Sequence, residues 1–264
     1  MLNSSVESNY TLDKLRSTLI RLEDTIIFAL IERSQFALNP CIYTKGALEF
    51  NGATGDRSFL EFFFWETEKV HAKVRRYTSP DEYAFTSPLP EPILPPLKYD
   101  EFLFPNDINV NDKIMEIYAH DIVPVICKNT DDKNYGSSAT KDIEALQALS
   151  KRIHFGKFIA ESKFRSDPEE YIRLALIEDR EKIDELLTNK AVEAKVLERL
   201  RRKALVYGQT LDEEQEGTSK HLRIPVDLVV DLYKRWVIPI TKEVEVDYLI
   251  QRGKAAAAAA RDEQ

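Results

Sequence analysis

The sequence has few of the residues that support several common chemistries. Only two cysteines occur among its 264 residues, Cys41 and Cys127, and their spacing matches no CxxC motif. Such a chain is typical of a reducing compartment rather than of a disulfide framework, so we expect a cytoplasmic protein. The eight glycines form neither a phosphate-binding loop nor a nucleophile elbow, which argues against a nucleotide-using or nucleophilic enzyme.

Histidines and long apolar runs are also scarce. The four histidines are dispersed, and the one ExxH pair, Glu68 with His71, lacks the second copy that a di-iron bundle needs, so we expect no metal. No apolar run approaches the roughly 18 residues that cross a bilayer, and the N-terminus has no signal-peptide pattern. The net charge of −8 opposes binding to nucleic acid or to an anionic membrane, so an anion needs a local pocket.

Helical periodicity dominates the rest of the sequence. Apolar residues recur every three or four positions from Thr11 to about Phe36, again over 58–76, and in several later segments, whereas no segment alternates as a strand does. With 43% hydrophobic residues the chain can bury a sizeable core. We therefore predict an all-α fold, a single-domain multi-helix bundle over residues 1–264 with long N-terminal, central and C-terminal helices and no significant β-sheet.

Proline marks the irregular parts of this predicted bundle. Seven of the twelve prolines lie between Thr78 and Pro105, which predicts an ordered wrap or a linker without regular structure. Pro124 and Pro239 fall inside helical patterns and predict kinks. Residues 254–264 contain six consecutive alanines and are expected to form a flexible tail.

The stretch from Ser150 to Phe164 carries two cations on one side of a predicted central helix. Arg152 and Lys163 are eleven residues apart, which at about 100° per residue returns them to the same side, with Phe155 and Ile159 between them. Such a stripe could clamp a small dianion against apolar side chains. The spacing alone favours the simpler interpretation, in which Arg152 and Lys163 are two of several solvated charges on the helix.

Other polar residues lie beside the apolar seams of neighbouring predicted helices. Asn189 and Glu193 are four residues apart on one helix, Thr241 and Glu245 are four apart on another, and Arg16 lies on the first helix. Each of them, taken singly, fits a surface charge or a helix pair better than it fits a binding site.

The segments that hold these residues closely resemble the fungal and plant type of chorismate mutase. The likeness runs from Leu15 to about Arg252 and is carried by DKNYGSSATKDIEALQALSKRIHFGKFIAESKF, NKAVEAKVLERL and VIPITKEVEVDYL. The resemblance implies the rearrangement of chorismate to prephenate in phenylalanine and tyrosine biosynthesis, without a cofactor or a covalent intermediate. Every position that matches a substrate-binding residue of the family holds the family residue: Arg16, Arg152, Lys163, Asn189, Glu193, Thr241 and Glu245.

The residue types agree with the binding roles that the resemblance implies. Arg16 and Arg152 would hold the two substrate carboxylates, because a guanidinium group can bind a carboxylate through two hydrogen bonds. Glu193 would hold the substrate hydroxyl with help from Asn189, and Thr241 would support the site.

Lys163 and Glu245 would face the ether oxygen, where negative charge grows as the C–O bond breaks. A carboxyl group can donate a hydrogen bond to this oxygen only when it is protonated. Burial would raise the pKa of Glu245 and nearby Lys163 would lower it, so the sequence leaves the direction of the net shift open.

The same resemblance implies a second site, at which tyrosine inhibits and tryptophan activates between the subunits of a homodimer. The residues that match this site are all present: Arg75, Arg76, Asn134, Gly136, Ser137 and Thr140. A loop with glycine and serine at a helix N-terminus exposes N–H donors that suit a carboxylate. Pro225 stands where fungal relatives carry threonine, and because proline fixes φ and lacks an N–H, we expect a weaker regulatory switch.

Two other classes of function fit the same predicted helices. A non-catalytic helical dimer could bind a dicarboxylate or an aromatic amino acid as a sensor, and the loss of a pocket residue would favour it. A helical adaptor would show an exposed apolar face or groove. No pocket residue is lost, which favours the enzyme.

Overall fold

Helices are the only regular elements in the part of the chain that the computed structural model describes, residues 10–48, 52–208 and 224–262. They are α1 (Leu12–Arg33), α2 (Phe59–Lys73), α3 (Asn111–Ile117), α4 (Val123–Ile126), α5 (Tyr135–His154), α6 (Gly156–Ser166), α7 (Pro168–Leu176), α8 (Arg180–Leu187), α9 (Lys190–Tyr207), α10 (Val226–Leu232) and α11 (Ile238–Asp262). Short 3-10 helices lie at Pro40–Tyr43 and Arg76–Thr78. The predicted all-α fold is confirmed.

The main core lies between three long helices and the elements that flank them. Helix α1 packs along α5, and α11 packs along α6 and α7. Leu30, Leu146 and Val244, one from each long helix, are fully buried in a single apolar cluster. The assignment of residues 1–264 to one domain stays a prediction.

The predicted helix starts depend on local hydrogen bonds. Thr11 precedes α1, and its hydroxyl accepts a hydrogen bond from the backbone N–H of Lys14. Ser58 and Glu61 form a capping box at the start of α2, with the Glu61 carboxylate 2.7 Å from the Ser58 nitrogen. Each of these contacts satisfies a donor that the first turn of a helix leaves unpaired.

Both predicted proline kinks take the form of a π-helical turn. Tyr118–Ile122 precedes Pro124, and Tyr233–Val237 precedes Pro239. Proline removes a backbone donor and its ring crowds the carbonyl four residues earlier, and the wider π-turn accommodates both effects. The second turn leads directly into α11, which carries Thr241 and Glu245.

The Pro-rich segment is an ordered wrap rather than a linker. It has no regular element between Ser79 and Pro105. The buried carboxylate of Glu68 on α2 accepts hydrogen bonds from the backbone nitrogens of Phe85 (2.9 Å) and Thr86 (2.7 Å) and from the Tyr77 hydroxyl (2.9 Å). These bonds fix the start of the wrap to α2.

Two predicted features differ in the structure. The predicted central helix is divided at Phe155, where α5 ends and α6 begins. The alanine run expected in a flexible tail instead continues α11 to Asp262, in keeping with the high helix propensity of alanine. Gly253 is buried at the start of this stretch, where an added Cβ would lie 2.5 Å from the Cβ of Ala175 on α7. The last two residues of the predicted tail lie outside the described residues.

Candidate active site

Gly156 lies where α5, α6 and α11 meet. A Cβ atom at this position would lie 2.8 Å from Cγ2 of Thr241, 3.0 Å from Cγ of Glu245 and 3.2 Å from Oε1 of Glu245. Only glycine therefore allows α11 to approach the α5–α6 junction this closely. The approach brings Thr241 and Glu245 of α11 against the helices that carry Arg152 and Lys163.

Arg152 is a buried cation that the described part of the chain leaves without a carboxylate partner. Arg152 is only 6% exposed, and its Nη1 donates a 3.4 Å hydrogen bond to the hydroxyl of Thr241. Its Nε is buried with no hydrogen-bond partner among the described residues. Burying an unpaired guanidinium is costly, so this arrangement suits an anionic ligand.

Tyr233 also borders this cation. Its ring centre lies 6.0 Å from Cζ of Arg152, and its buried hydroxyl has no hydrogen-bond partner among the described residues. The sequence interpretation missed Tyr233, because its position in a π-helical turn removes it from any regular helical stripe.

Glu245 and Lys163 complete the polar cluster around Arg152 and Thr241. Burial raises the pKa of Glu245 to about 7, although the charges of Lys163, Arg152 and Lys242 oppose the shift. Burial also lowers the pKa of Lys163, and nearby Glu245 opposes this change. The net pKa shift of Glu245, whose direction the sequence left open, is therefore upward. In the fraction of molecules that hold the proton at neutral pH, Glu245 can donate a hydrogen bond.

Glu193 joins the pocket through a residue that the sequence interpretation missed. Lys242 lies next to Thr241, and its ammonium contacts the Glu193 carboxylate at 2.8 Å and the Thr188 hydroxyl at 2.7 Å. Its position three residues before Glu245 on one helix was a signal that could have identified it. The side chain of Asn189 caps α9, with Oδ1 accepting a hydrogen bond from the nitrogen of Val192 at 3.1 Å.

Arg16 lies at the edge of this arrangement. Its side chain is 53% exposed and forms an ion pair with Asp13 of its own helix at 3.6 Å. Burial is the largest cause of the lowered pKa of Lys163, and the charge of Arg16 lowers this pKa further. The two cations are therefore close enough to interact. The structure thus brings Arg152, Lys163, Thr241 and Glu245 together, whereas Arg16 and Asn189 have partners within or next to their own helices.

The residues expected at an effector site form two separate groups. Arg76 donates to the Glu82 carboxylate at 3.1 Å and to the Gln147 side chain at 2.8 Å. Arg75 donates to the carbonyl of Pro95, and its Nε is buried without a partner among the described residues. The second group lies in the exposed first turns of α5 and comprises Asn134, Gly136, Ser137 and Thr140.

The two groups lie at different levels along α5. Gln147, the partner of Arg76, follows Gly136 by eleven residues, which corresponds to about 16 Å along the helix axis. The Thr140 hydroxyl donates to the carbonyl of Gly136 at 2.8 Å, within the turn itself. A single chain therefore does not assemble the six residues into one site.

The described residues lack two kinds of feature. They contain no group of three or more His, Cys, Asp or Glu side chains that could hold a metal ion. Within the same ranges, no helix combines the length and apolar composition that a bilayer-crossing segment requires. His154, one of the four dispersed histidines, is buried and accepts a 3.1 Å hydrogen bond from the nitrogen of Val110.

Comparisons with known proteins identify the family. Residues 134–246 match the family model for chorismate mutase type II. Chorismate mutase from Trichoderma parareesei is 49% identical over 254 residues, which covers 93% of this chain and 94% of that protein. Aro7p chorismate mutase from Candida albicans, solved in complex with L-Trp, has a TM-score of 0.88 and 43% identity over 94% of this chain and 93% of its own. AtCM1, solved with tyrosine in its allosteric site, has a TM-score of 0.82 and 42% identity over 96% of this chain and 99% of its own.

The fold and these matches define an all-helical enzyme of the isomerase class. The chain belongs to the type II chorismate mutase family, with relatives in fungi and plants. The predicted family and enzyme class are confirmed, which sets aside the sensor and the adaptor.

The contact at Gly156 generates a first prediction. In Gly156→Ala the new methyl group displaces Thr241 and Glu245, and a misplacement of about 1 Å should reduce kcat/KM about tenfold or more. The activity is followed as the loss of chorismate absorbance.

Gly253→Ala is the matched control for this prediction. It places a methyl group between α11 and α7, 2.5 Å from the Cβ of Ala175, which is a tighter contact than the one at Gly156. The control should lower the midpoint of thermal unfolding and leave kcat/KM near the wild-type value. Wild-type kcat/KM in Gly156→Ala would show that the close approach of α11 is not needed for activity.

Proposed function

We propose that the chain rearranges chorismate to prephenate in the pocket around Arg152, Lys163, Thr241 and Glu245, as a step in phenylalanine and tyrosine biosynthesis. The observation that carries this proposal is the buried guanidinium of Arg152, whose Nε lacks a partner among the described residues. The reaction is a unimolecular bond rearrangement. Catalysis therefore consists of holding the reactive conformation and stabilising the charge that develops as the C–O bond breaks.

Two arginines suit the two carboxylates of the substrate. Thr241 contacts Nη1 of Arg152, and the Nε side of the guanidinium remains available for one carboxylate. Among the described residues, the ion-pair partner of Arg16 is Asp13, and an exposed pair of this kind contributes little stability. Its side chain can therefore exchange Asp13 for the second carboxylate at small cost.

The ether oxygen is assigned to Lys163 and to the protonated form of Glu245. Lys163 now donates to the carbonyls of Leu186 (3.2 Å) and Leu187 (3.0 Å), at the end of α8, and can redirect a donor toward the substrate. The substrate hydroxyl is assigned to Glu193, with Asn189 beside it. The Glu193 carboxylate lies 2.8 Å from the Lys242 ammonium and has oxygen atoms that can accept that hydrogen bond.

Removal of the buried guanidinium tests the proposed reaction directly. Arg152→Ala should lower kcat/KM by about a hundredfold or more, because a charged hydrogen bond to a desolvated carboxylate is lost. Arg173→Ala is the matched control, since Arg173 is exposed and pairs with Glu170 of its own helix. The control should keep wild-type activity, and EDTA should change neither protein. Near-normal turnover of Arg152→Ala would remove Arg152 from the site.

The raised pKa of Glu245 predicts an activity that falls with increasing pH. The protonated donor is present below the pKa of about 7 and is lost above it, so kcat/KM should decline through neutrality. Glu245→Gln always carries N–H donors and should flatten this decline. The measurement is kcat/KM from about pH 5 to pH 8.5, a range that brackets a raised carboxyl pKa.

Glu243→Gln supplies the control for this pH profile. Glu243 is an exposed neighbour on the same helix and pairs with Lys113, so its substitution should leave the decline unchanged. A wild-type profile in Glu245→Gln would mean that Glu245 is not the titrating donor. Lys163 would then act on the ether oxygen alone.

We further propose a homodimer in which tyrosine inhibits and tryptophan activates at a site shared by two subunits. Two related structures hold L-Trp and tyrosine, the latter in an allosteric site. Arg75 and Arg76 would come from one subunit, and the partner would contribute the first turns of its α5. A two-fold axis would bring together groups that one chain keeps apart, because an isologous interface pairs different residues across the axis. The partner's residues at this site would be Asn134, Gly136, Ser137 and Thr140.

Regulation at this site depends on the guanidinium of Arg76. Arg76→Ala should abolish inhibition by tyrosine while leaving unregulated turnover largely intact. Glu82→Gln is the matched control, because it weakens the ion pair of Arg76 but keeps the guanidinium. Inhibition should persist in the control. A monomer at micromolar concentration in sedimentation analysis would contradict the shared site.

Two related proposals concern the cell and the strength of regulation. The free thiols of Cys41 and Cys127 favour the cytoplasm, which a fluorescent fusion tests by its distribution.

Pro225 immediately precedes α10 with no side-chain capping hydrogen bond, whereas threonine would supply one. The weaker switch expected of Pro225 stays a prediction.

A further inference from the structure

Phe102, near the end of the Pro-rich wrap, belongs to an apolar cluster beside the N-terminal turns of α1. Its ring stacks on Tyr10, with ring centres 4.3 Å apart, and lies 6.1 Å from the ring of Phe158 on α6. Leu15 and Leu22 of α1 are buried in the same cluster, which is separate from the main core. The first turns of α1 are therefore attached to α6 through this small cluster.

The position of Arg16 depends on that attachment. Leu15, the preceding residue, is 3% exposed within the cluster, whereas the Arg16 side chain is more than half exposed. The surface ion pair of Arg16 with Asp13 lies within the same turn, so it fixes nothing relative to α6. A displacement of Leu15 would shift Arg16 relative to Lys163, whose pKa the charge of Arg16 lowers.

A polar network around the buried carboxylate of Glu161 holds the backbone of Phe102 and of Phe104. Arg165 donates to the carbonyl of Phe102 at 2.7 Å, its Cζ lies 4.4 Å from the centre of the ring, and it pairs with Glu161 at 2.8 Å. The nitrogen of Phe104 donates to the Tyr248 hydroxyl at 2.8 Å, which donates to Glu161 at 2.7 Å. Glu161 is 1% exposed, so these charge-assisted hydrogen bonds form away from water and are strong.

We propose that Phe102 is a positioning residue for Arg16. Its ring, held by Arg165 and Glu161, keeps the first turns of α1 against α6, so that the Arg16 guanidinium faces the substrate pocket. The proposal rests on the substrate-binding role of Arg16 given above. It assigns a function to the end of the Pro-rich wrap, which contacts none of the reacting groups.

The test is a double-mutant cycle on kcat/KM for chorismate. Phe102→Leu keeps an apolar side chain but removes the ring stack, and should raise KM about tenfold with a smaller effect on kcat, because a carboxylate contact is made in both the ground state and the transition state. In an Arg16→Ala background the same substitution should have little further effect, since the group that it positions is already absent.

Phe28→Ala is the matched control. The Phe28 ring stacks on Tyr207 at the other end of α1, with ring centres 4.6 Å apart. Its removal should leave KM unchanged in both backgrounds. Thermal unfolding of each variant separates a folding defect from a binding defect. If Phe102→Leu does not fold, Arg165→Gln releases the Phe102 carbonyl while keeping its ring, and should show the same dependence on Arg16.

The outcomes separate this proposal from the proposed function. If Arg16→Ala is itself impaired and the losses of kcat/KM multiply in the double variant, the positioning role of Phe102 is overturned and the role of Arg16 is not. Wild-type KM in a folded Phe102→Leu would do the same. Wild-type kcat/KM in Arg16→Ala would overturn the role of Arg16 and the positioning role with it.

Discussion

The close approach of α11 to Gly156 is the contact on which the candidate site depends. It places the Glu245 carboxyl in a buried position at the junction of the two helices that carry Arg152 and Lys163. Burial is the largest cause of the raised pKa of Glu245, so the same contact that packs the helices also sets the protonation state of a candidate donor. Packing and chemistry are therefore not separable at this position.

The buried charges elsewhere in the described chain show why Arg152 differs. Arg33 pairs with Asp142 at 2.5 Å and donates to several neighbouring acceptors, and Glu23 accepts two hydrogen bonds from Arg199, at 2.8 and 2.6 Å. Burying a charge costs several kcal/mol unless partners replace the lost water. These charges have such partners, whereas Arg152 makes one long hydrogen bond to a hydroxyl. The contrast with Arg33 and Glu23 gives Arg152 the electrostatics of a binding site for an anion.

Much of the fold follows from local signals in the sequence. The caps Thr11 and Ser58 lie at the predicted helix starts, and a π-helical turn precedes each of the two prolines predicted to kink a helix, Pro124 and Pro239. Each of these features depends on a few neighbouring residues. The site residues on α5, α6 and α11 also came together, because helical spacing placed them beside apolar seams. The role of Gly156, the ion pair of Lys242 and the direction of the Glu245 pKa shift depend on contacts between distant segments. No local pattern encodes such contacts.

The two arginines proposed to bind the substrate carboxylates are attached to the molecule in different ways. Arg152 lies on α5, whose buried face belongs to the main core, and a cluster of this size resists local rearrangement. Arg16 lies on turns that a five-residue buried cluster holds, and one of those five residues, Phe102, comes from a segment without regular structure. Because local opening costs least where few apolar contacts must be broken, the Arg16 side of the pocket is the one that can move when a substrate enters or leaves. The Arg152 side then provides the fixed frame against which the reactive conformation is selected.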